Sequence, residues 1–153
     1  MDFMNVSFAS ILSMLAMGGA VEQPTEKPQV AKISTHVLPS IAGQWQLQIS
    51  QKDPTQPHCQ ERYNFGRDQI FQGQSGKEMS YGKYLFSDTG NGLPAIAIQT
   101  EYDNNAKDCS GNQVDQTGDI LVAYVKTVDN NTMQWCSDSD GKNCRMTLQR
   151  ILP

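Results

Sequence analysis

The segment Gly43-Gln44-Trp45-Gln46-Leu47-Gln48-Ile49 alternates without a break. Trp45, Leu47 and Ile49 fall on one side, Gln44, Gln46 and Gln48 on the other. Side chains alternate across a strand, so the pattern predicts a half-buried antiparallel strand with a wet outer face. Comparable segments continue to the C-terminus. Cys59 to Phe65 puts Tyr63 and Phe65 on one face, and Gln69 to Gln72 completes a hairpin through Gly66-Arg67-Asp68. Met79 to Phe86 sets Tyr84 and Phe86 opposite Tyr81 and Leu85, and a Gly/Asn turn at 89–92 leads into Ala95 to Thr100 with Ile96 and Ile98 paired. Ile120 to Val128 is apolar on both faces, the mark of a central or covered strand. Thr132 to Cys136 groups Met133 with Trp135, and Arg145 to Leu152 groups Met146, Leu148, Arg150 and Leu152.

Eight short strands joined mainly by tight turns, with no helical period after residue 20, indicate an all-β sandwich or barrel. A sequential meander of eight favours an antiparallel up-and-down barrel, since closure removes exposed edges. The expected lining comprises Trp45, Leu47, Ile49, Tyr63, Phe65, Tyr84, Phe86, Ile96, Ile98, Val122, Tyr124, Met133, Trp135, Met146 and Leu148. An eight-stranded barrel is only wide enough to be filled by such side chains or to hold one small ligand. The alternatives are a plugged core and an apolar pocket at the open end, lined by Tyr63, Phe65, Tyr84, Phe86, Tyr124 and Trp135.

The first 20 residues differ. Phe3 to Ala20 carries no charge and ends Met17-Gly18-Gly19-Ala20, small residues where a signal peptidase reads. The stretch is short and Gly/Ser-broken for a membrane span, and it has Asp2 instead of a basic n-region. Residues 1–20 are read as an export signal, with a retained apolar leader as the alternative. Residues 21–40, with three prolines, read as a linker. Residues 41–153 form the β-domain.

Four cysteines, Cys59, Cys109, Cys136 and Cys144, all follow the leader. An even count in an exported chain points to two disulfides and to a periplasmic or secreted location. The turn-rich loop 137–143 favours Cys136 with Cys144, leaving Cys59 with Cys109. In the chain-entropy model these are worth ~2.6 and ~4 kcal/mol. A zinc site is disfavoured, because there is no CxxC and His36 and His58 are poorly placed.

Gly43-Gln44-Trp45 at the start of the first strand, with Arg150 near the end of the last, resembles the lipocalin and wider calycin pattern. In that family a Gly-x-Trp opens the first strand and an Arg from the final strand packs across the Trp ring at the closed end. The resemblance therefore implies a barrel-closing pair, Trp45 and Arg150, with a cation–π contact of about 1 kcal/mol. It is a resemblance of fold, and a fold carries no function with it.

Charge narrows the partners. The net charge is -4 and no Lys/Arg cluster occurs, which argues against nucleic acid and anionic membranes. Residues 101–119 gather Asp103, Asp108, Asp115 and Asp119 with Glu101 among Gly and Asn. Such oxygen-rich loops suit calcium, yet the spacing is not that of an EF-hand, and the same residues build any solvated polar loop. The loop is read as solvated and pinned by Cys109, with calcium or a protein partner as alternatives. Asp138-Ser139-Asp140-Gly141 is read as a hairpin turn. No nucleophile elbow, HExxH or phosphate-cradling loop occurs, so no catalytic residue is assigned and no cofactor is expected. The expected function is a non-enzymatic exported binding module for a small apolar ligand or a protein. The alternatives are an inhibitor or immunity protein acting on a cell-wall enzyme, and a structural accessory protein of an envelope or secretion system.

Overall fold

The computed structural model describes residues 38–50 and 58–153; the leader 1–20 and most of the 21–40 linker lie outside them. Eight antiparallel strands close into a barrel in simple sequential order: β1 (Gly43–Leu47), β2 (Glu61–Phe65), β3 (Ile70–Ser75), β4 (Glu78–Ser87), β5 (Ala95–Asp103), β6 (Ile120–Asp129), β7 (Thr132–Cys136) and β8 (Cys144–Leu152). First and last strands pair, with Trp45 opposite Arg150 and Leu47 opposite Leu148. Every strand therefore has two neighbours and no ladder edge faces water.

The alternation expected for β1 holds, and Trp45 is buried. In β4 the face carrying Gly82, Tyr84 and Phe86 turns inward while Tyr81 and Leu85 are exposed. Gly82 sits where β5 bulges, and a Cβ there would overlap the Gln99 carbonyl. Bulges place an extra residue on one strand and press backbones together, so the position demands a residue without a side chain.

β6 corrects the sequence reading. Both of its faces are apolar, but it is neither central nor covered: Ile120, Val122 and Val128 lie exposed on the outside. Cross-strand partners share a face. Ala123 pairs with the inward Ile96, Leu121 with the inward Ile98 and Val125 with Trp135. Val125 is buried and Ala123 packs on the core, so Val122 and Tyr124, both expected in the lining, point outward. Leu152, grouped with the inward face of β8, is exposed, because a register shift at Gln44/Trp45 sets it opposite Gln44 on the outer face.

The interior is filled from the Trp45 end upward. Phe65, Ile96, Val125, Met133 and Leu148 are at most 1% exposed, each worth about 1.5–3 kcal/mol relative to an exposed side chain. Aromatic rings continue the packing towards the opposite end. Phe65 meets Tyr84 edge-on at 5.0 Å, Tyr63 contacts Trp135 at 5.3 Å, and Phe71 bridges Phe65 and Tyr63.

The Trp45 end is capped by one side chain. The Arg150 guanidinium lies 4.3 Å above the Trp45 ring, the contact that the calycin resemblance implies. It donates to the carbonyls of Ala42, Ser40 and Asn130, joining the chain before β1 to the β6–β7 turn. The Trp45 indole donates to Ile41 O at 2.9 Å. Gly43 takes φ +125°, and a Cβ there would lie 2.5 Å from Leu152 O, so a glycine is needed where β8 crosses the start of β1.

Both disulfides form at the opposite end. Cys59–Cys109 ties the β1–β2 connection to the β5–β6 loop, and Cys136–Cys144 closes the β7–β8 loop. No helix among the described residues is long and apolar enough to cross a membrane.

Candidate functional site in the barrel mouth

At the disulfide-bearing end lie the two-residue β3–β4 turn Gly76–Lys77, the β5–β6 loop 104–119, the β7–β8 loop 137–143 and, ahead of β2, Cys59. The 104–119 loop does not protrude. Lys77 N donates to Lys107 O, Gln116 Nε2 to Glu78 and Gly118 N to Thr100 O, so the loop lies back across the mouth. Cys109 N donates to Ser75 Oγ, fixing its centre beside the disulfide.

Local sequence explains why so polar a loop is ordered. Asp103 accepts from Asn105 N at 2.6 Å, Asp108 from Ser110 N and Asn112 N, each at 2.8 Å, and Asp115 from Thr117 N at 2.9 Å. These are Asx turns, in which a short carboxylate mimics a backbone carbonyl. The Thr117 hydroxyl and N–H hold the Asp115 carboxyl below its ordinary pKa. Among the described residues no three His, Cys, Asp or Glu side chains are grouped to hold a metal. The 137–143 loop is built likewise: Asp138 accepts from Lys142 N and Asn143 N, which lowers its pKa and makes it a turn cap.

Beneath the 104–119 loop lies a cavity of about 230 Å³. Its floor is aromatic and aliphatic, from Tyr63, Phe71, Trp135, Ile98 and Leu121, and its wall is polar, from Glu61, Ser75, Glu78, Ser80, Thr100, Asp108 and Gln116. A second pocket of about 450 Å³ shares Leu121 and Trp135 and runs along β6–β8 past Met146 to Arg145. Trp135 thus stands between an acidic and a mainly apolar compartment.

Strand register places the acidic groups. Glu61 shares the inward face of β2 with Tyr63 and Phe65, and Glu78 that of β4 with Ser80 and Tyr84. Glu61 accepts a hydrogen bond from the Tyr63 hydroxyl and another from Ser75 Oγ at 3.2 Å. Glu78 is only 7% exposed and accepts from Gln116. Burial raises its pKa, and the nearby carboxylates Asp103, Asp108 and Glu61 raise it further. The Tyr63 hydroxyl is likewise pushed up, first by burial and then by Glu61.

No Lys or Arg among the described residues forms an ion pair with Glu61, Glu78, Asp103 or Asp108; the ion pairs found are Lys83–Glu101 and Lys142–Asp140, both exposed. Two deeply buried polar atoms here also lack partners. Trp135 is 4% exposed and its Nε1 donates to nothing; Asp103 is 7% exposed and its Oδ2 accepts from nothing. Asp103 pairs with Ser80, a wall residue, across the β4–β5 ladder. Buried polar groups are ordinarily satisfied, so these two unpartnered atoms, one on the cavity-lining Trp135 and one on Asp103 beside the wall, are notable.

The expected site residues divide accordingly. Tyr63 and Trp135 line the mouth cavity, while Phe65 lies under it in the packed core. Tyr84 and Phe86 pack lower; the Tyr84 hydroxyl donates to Gly66 O, and burial raises its pKa. Tyr124 is on the outer face. Asp108 lines the cavity and Asp103 adjoins it, whereas Asp115 and Asp119 are exposed on the loop. Glu61 and Glu78 were not expected. Their signal is parity: each falls in phase with the inward aromatics of its own strand. No family model matches the chain, and no curated protein or solved structure matches it.

Proposed function

We propose that the chain is an exported, lipocalin-like binding module, without enzymatic activity, that takes a small ligand into the disulfide-framed barrel mouth. The observation that carries this reading is the cavity above a filled core, lined by Trp135, whose Nε1 is left without a partner. Ligand sites are typically concave, mainly apolar and furnished with a few convergent polar groups. The Trp45–Arg150 closure supports the lipocalin likeness. Two disulfides support export, since such bonds persist in oxidising compartments.

The competing reading, inhibition of a cell-wall enzyme, calls for a loop that projects into a partner's cleft. The 104–119 loop is instead bonded back onto the β3–β4 turn and β5, which favours a ligand over a protein target. The test is native mass spectrometry of the oxidised chain after exposure to a small-molecule extract. Retention of a discrete ligand, lost on Trp135→Ala, is the expected result. A chain that retains nothing, yet captures a protein through the 104–119 loop, would reverse the order of the two readings.

A further inference from the structure

The acidic compartment has a chemistry of its own. Glu61, Glu78 and Asp108 face one small cavity whose floor is Tyr63, Phe71 and Trp135, and no cation among the described residues pairs with them. Carboxylates gathered in a partly desolvated cleft with low-dielectric walls focus negative potential into it. Aromatic faces add to the attraction for a positive charge. The chain's own loop leaves this charge uncompensated, because Gln116 supplies Glu78 with a neutral amide.

Trp135 Nε1–H asks for something further. It is a buried, unmatched donor on a side chain that lines a cavity whose other polar groups are mostly acceptors. A bare cation would leave it unpaired. A ligand that carries both a positive nitrogen and an oxygen acceptor would neutralise the carboxylates and pair the indole together.

Resting on the mouth-binding reading above, we propose that the cavity binds a small organic amine in its ammonium form that also bears a hydroxyl or carbonyl oxygen. Its charge lies against Glu78 and Glu61, its oxygen accepts from Trp135 Nε1, and its body rests on Tyr63 and Phe71. The cavity of about 230 Å³ suits a molecule of one ring and a short arm.

The test uses the full disulfide-bonded chain and four probes: tyramine, phenethylamine without the oxygen, 4-propylphenol without the charge, and lauric acid. Binding is read by calorimetry, and position by the two indole N–H resonances in nitrogen-15 spectra. Tyramine is expected to bind most tightly and to shift the Trp135 indole signal while leaving that of Trp45, at the opposite end, in place. Glu78→Gln and Glu61→Gln should each weaken tyramine about tenfold or more, as expected for losing a hydrogen bond to a charged group, and should leave 4-propylphenol unchanged. If 4-propylphenol or lauric acid binds as well as tyramine, or if neither variant weakens tyramine, the amine assignment falls and the mouth-binding reading stands. If no probe binds and the native chain retains no ligand, both fall.

Discussion

Replacing Arg150 by alanine should unlatch the closed end at a cost that follows from its contacts. The guanidinium covers the Trp45 ring at 4.3 Å, worth about 1 kcal/mol at a partly exposed site. Its bond to Ala42 O is half-buried, so losing it costs about 1.5 kcal/mol. The bonds to Ser40 O and Asn130 O are exposed and add about 0.5 kcal/mol between them, since water takes the place of the donor. The total is about 3 kcal/mol, on the order of 15 °C in Tm for a domain of this size. The Arg150 backbone bond to Asn131 O survives the change, so β8 should stay paired. Arg150→Lys should recover less than half, because an ammonium does not span three carbonyls while covering a ring. Arg150→Met should recover only the packing. Urea unfolding followed by tryptophan emission measures all three variants. A loss below about 1 kcal/mol for alanine, or equal losses for lysine and alanine, would refute the assignment of Arg150 as the barrel's closing residue.

Three further outcomes are expected. Glu78 holds its proton to higher pH in the barrel than in the unfolded chain, chiefly through burial. Its contribution is therefore full below the ordinary glutamate pKa and is lost as pH rises through the raised value. Stability of the native chain relative to Glu78→Gln should accordingly fall from pH 4 towards neutral, and parallel urea midpoints across that range would contradict this. Replacing Cys59 and Cys109 together by alanine should cost up to about 4 kcal/mol and raise amide exchange in residues 104–119 ahead of β6–β8; uniform loosening of the barrel would count against a local pin. Gly82→Ala should destabilise by about 2 kcal/mol or more, since the new methyl meets the Gln99 carbonyl at the β5 bulge; an unchanged Tm would show that the bulge relaxes.

The barrel was legible because most strands obey one rule, apolar in and polar out, and Trp45, Phe65, Ile96 and Met133 all follow it. β6 was not, because alternation carries no phase when both faces are apolar. Only its register against Ile96 and Ile98 shows that Ala123 and Val125 turn inward and Tyr124 outward. The mouth was half legible. Tyr63 and Trp135 announce themselves as inward aromatics, whereas Glu61 and Glu78 resemble ordinary surface charges at strand ends. Their depth arises from the 104–119 loop folding over them, through Asn104 and Gln116 side-chain hydrogen bonds to residues more than twenty positions away. No local pattern records such contacts. Similarly, that loop reads in sequence as a solvated polar loop with calcium as an alternative, and much of its acidity consists of carboxylates capping their own turns.

The pairing of β1 with β8 also bears on how the chain is made. Arg150 reaches carbonyls up to 110 positions earlier, so the sheet stays open until β8 has been made and docked. Until then β1 and the newest strand present unpaired edges able to recruit other chains. A topology whose decisive contact joins its two ends is expected to fold in milliseconds to seconds. Any delay in forming that contact lengthens the time for which both edges stay exposed.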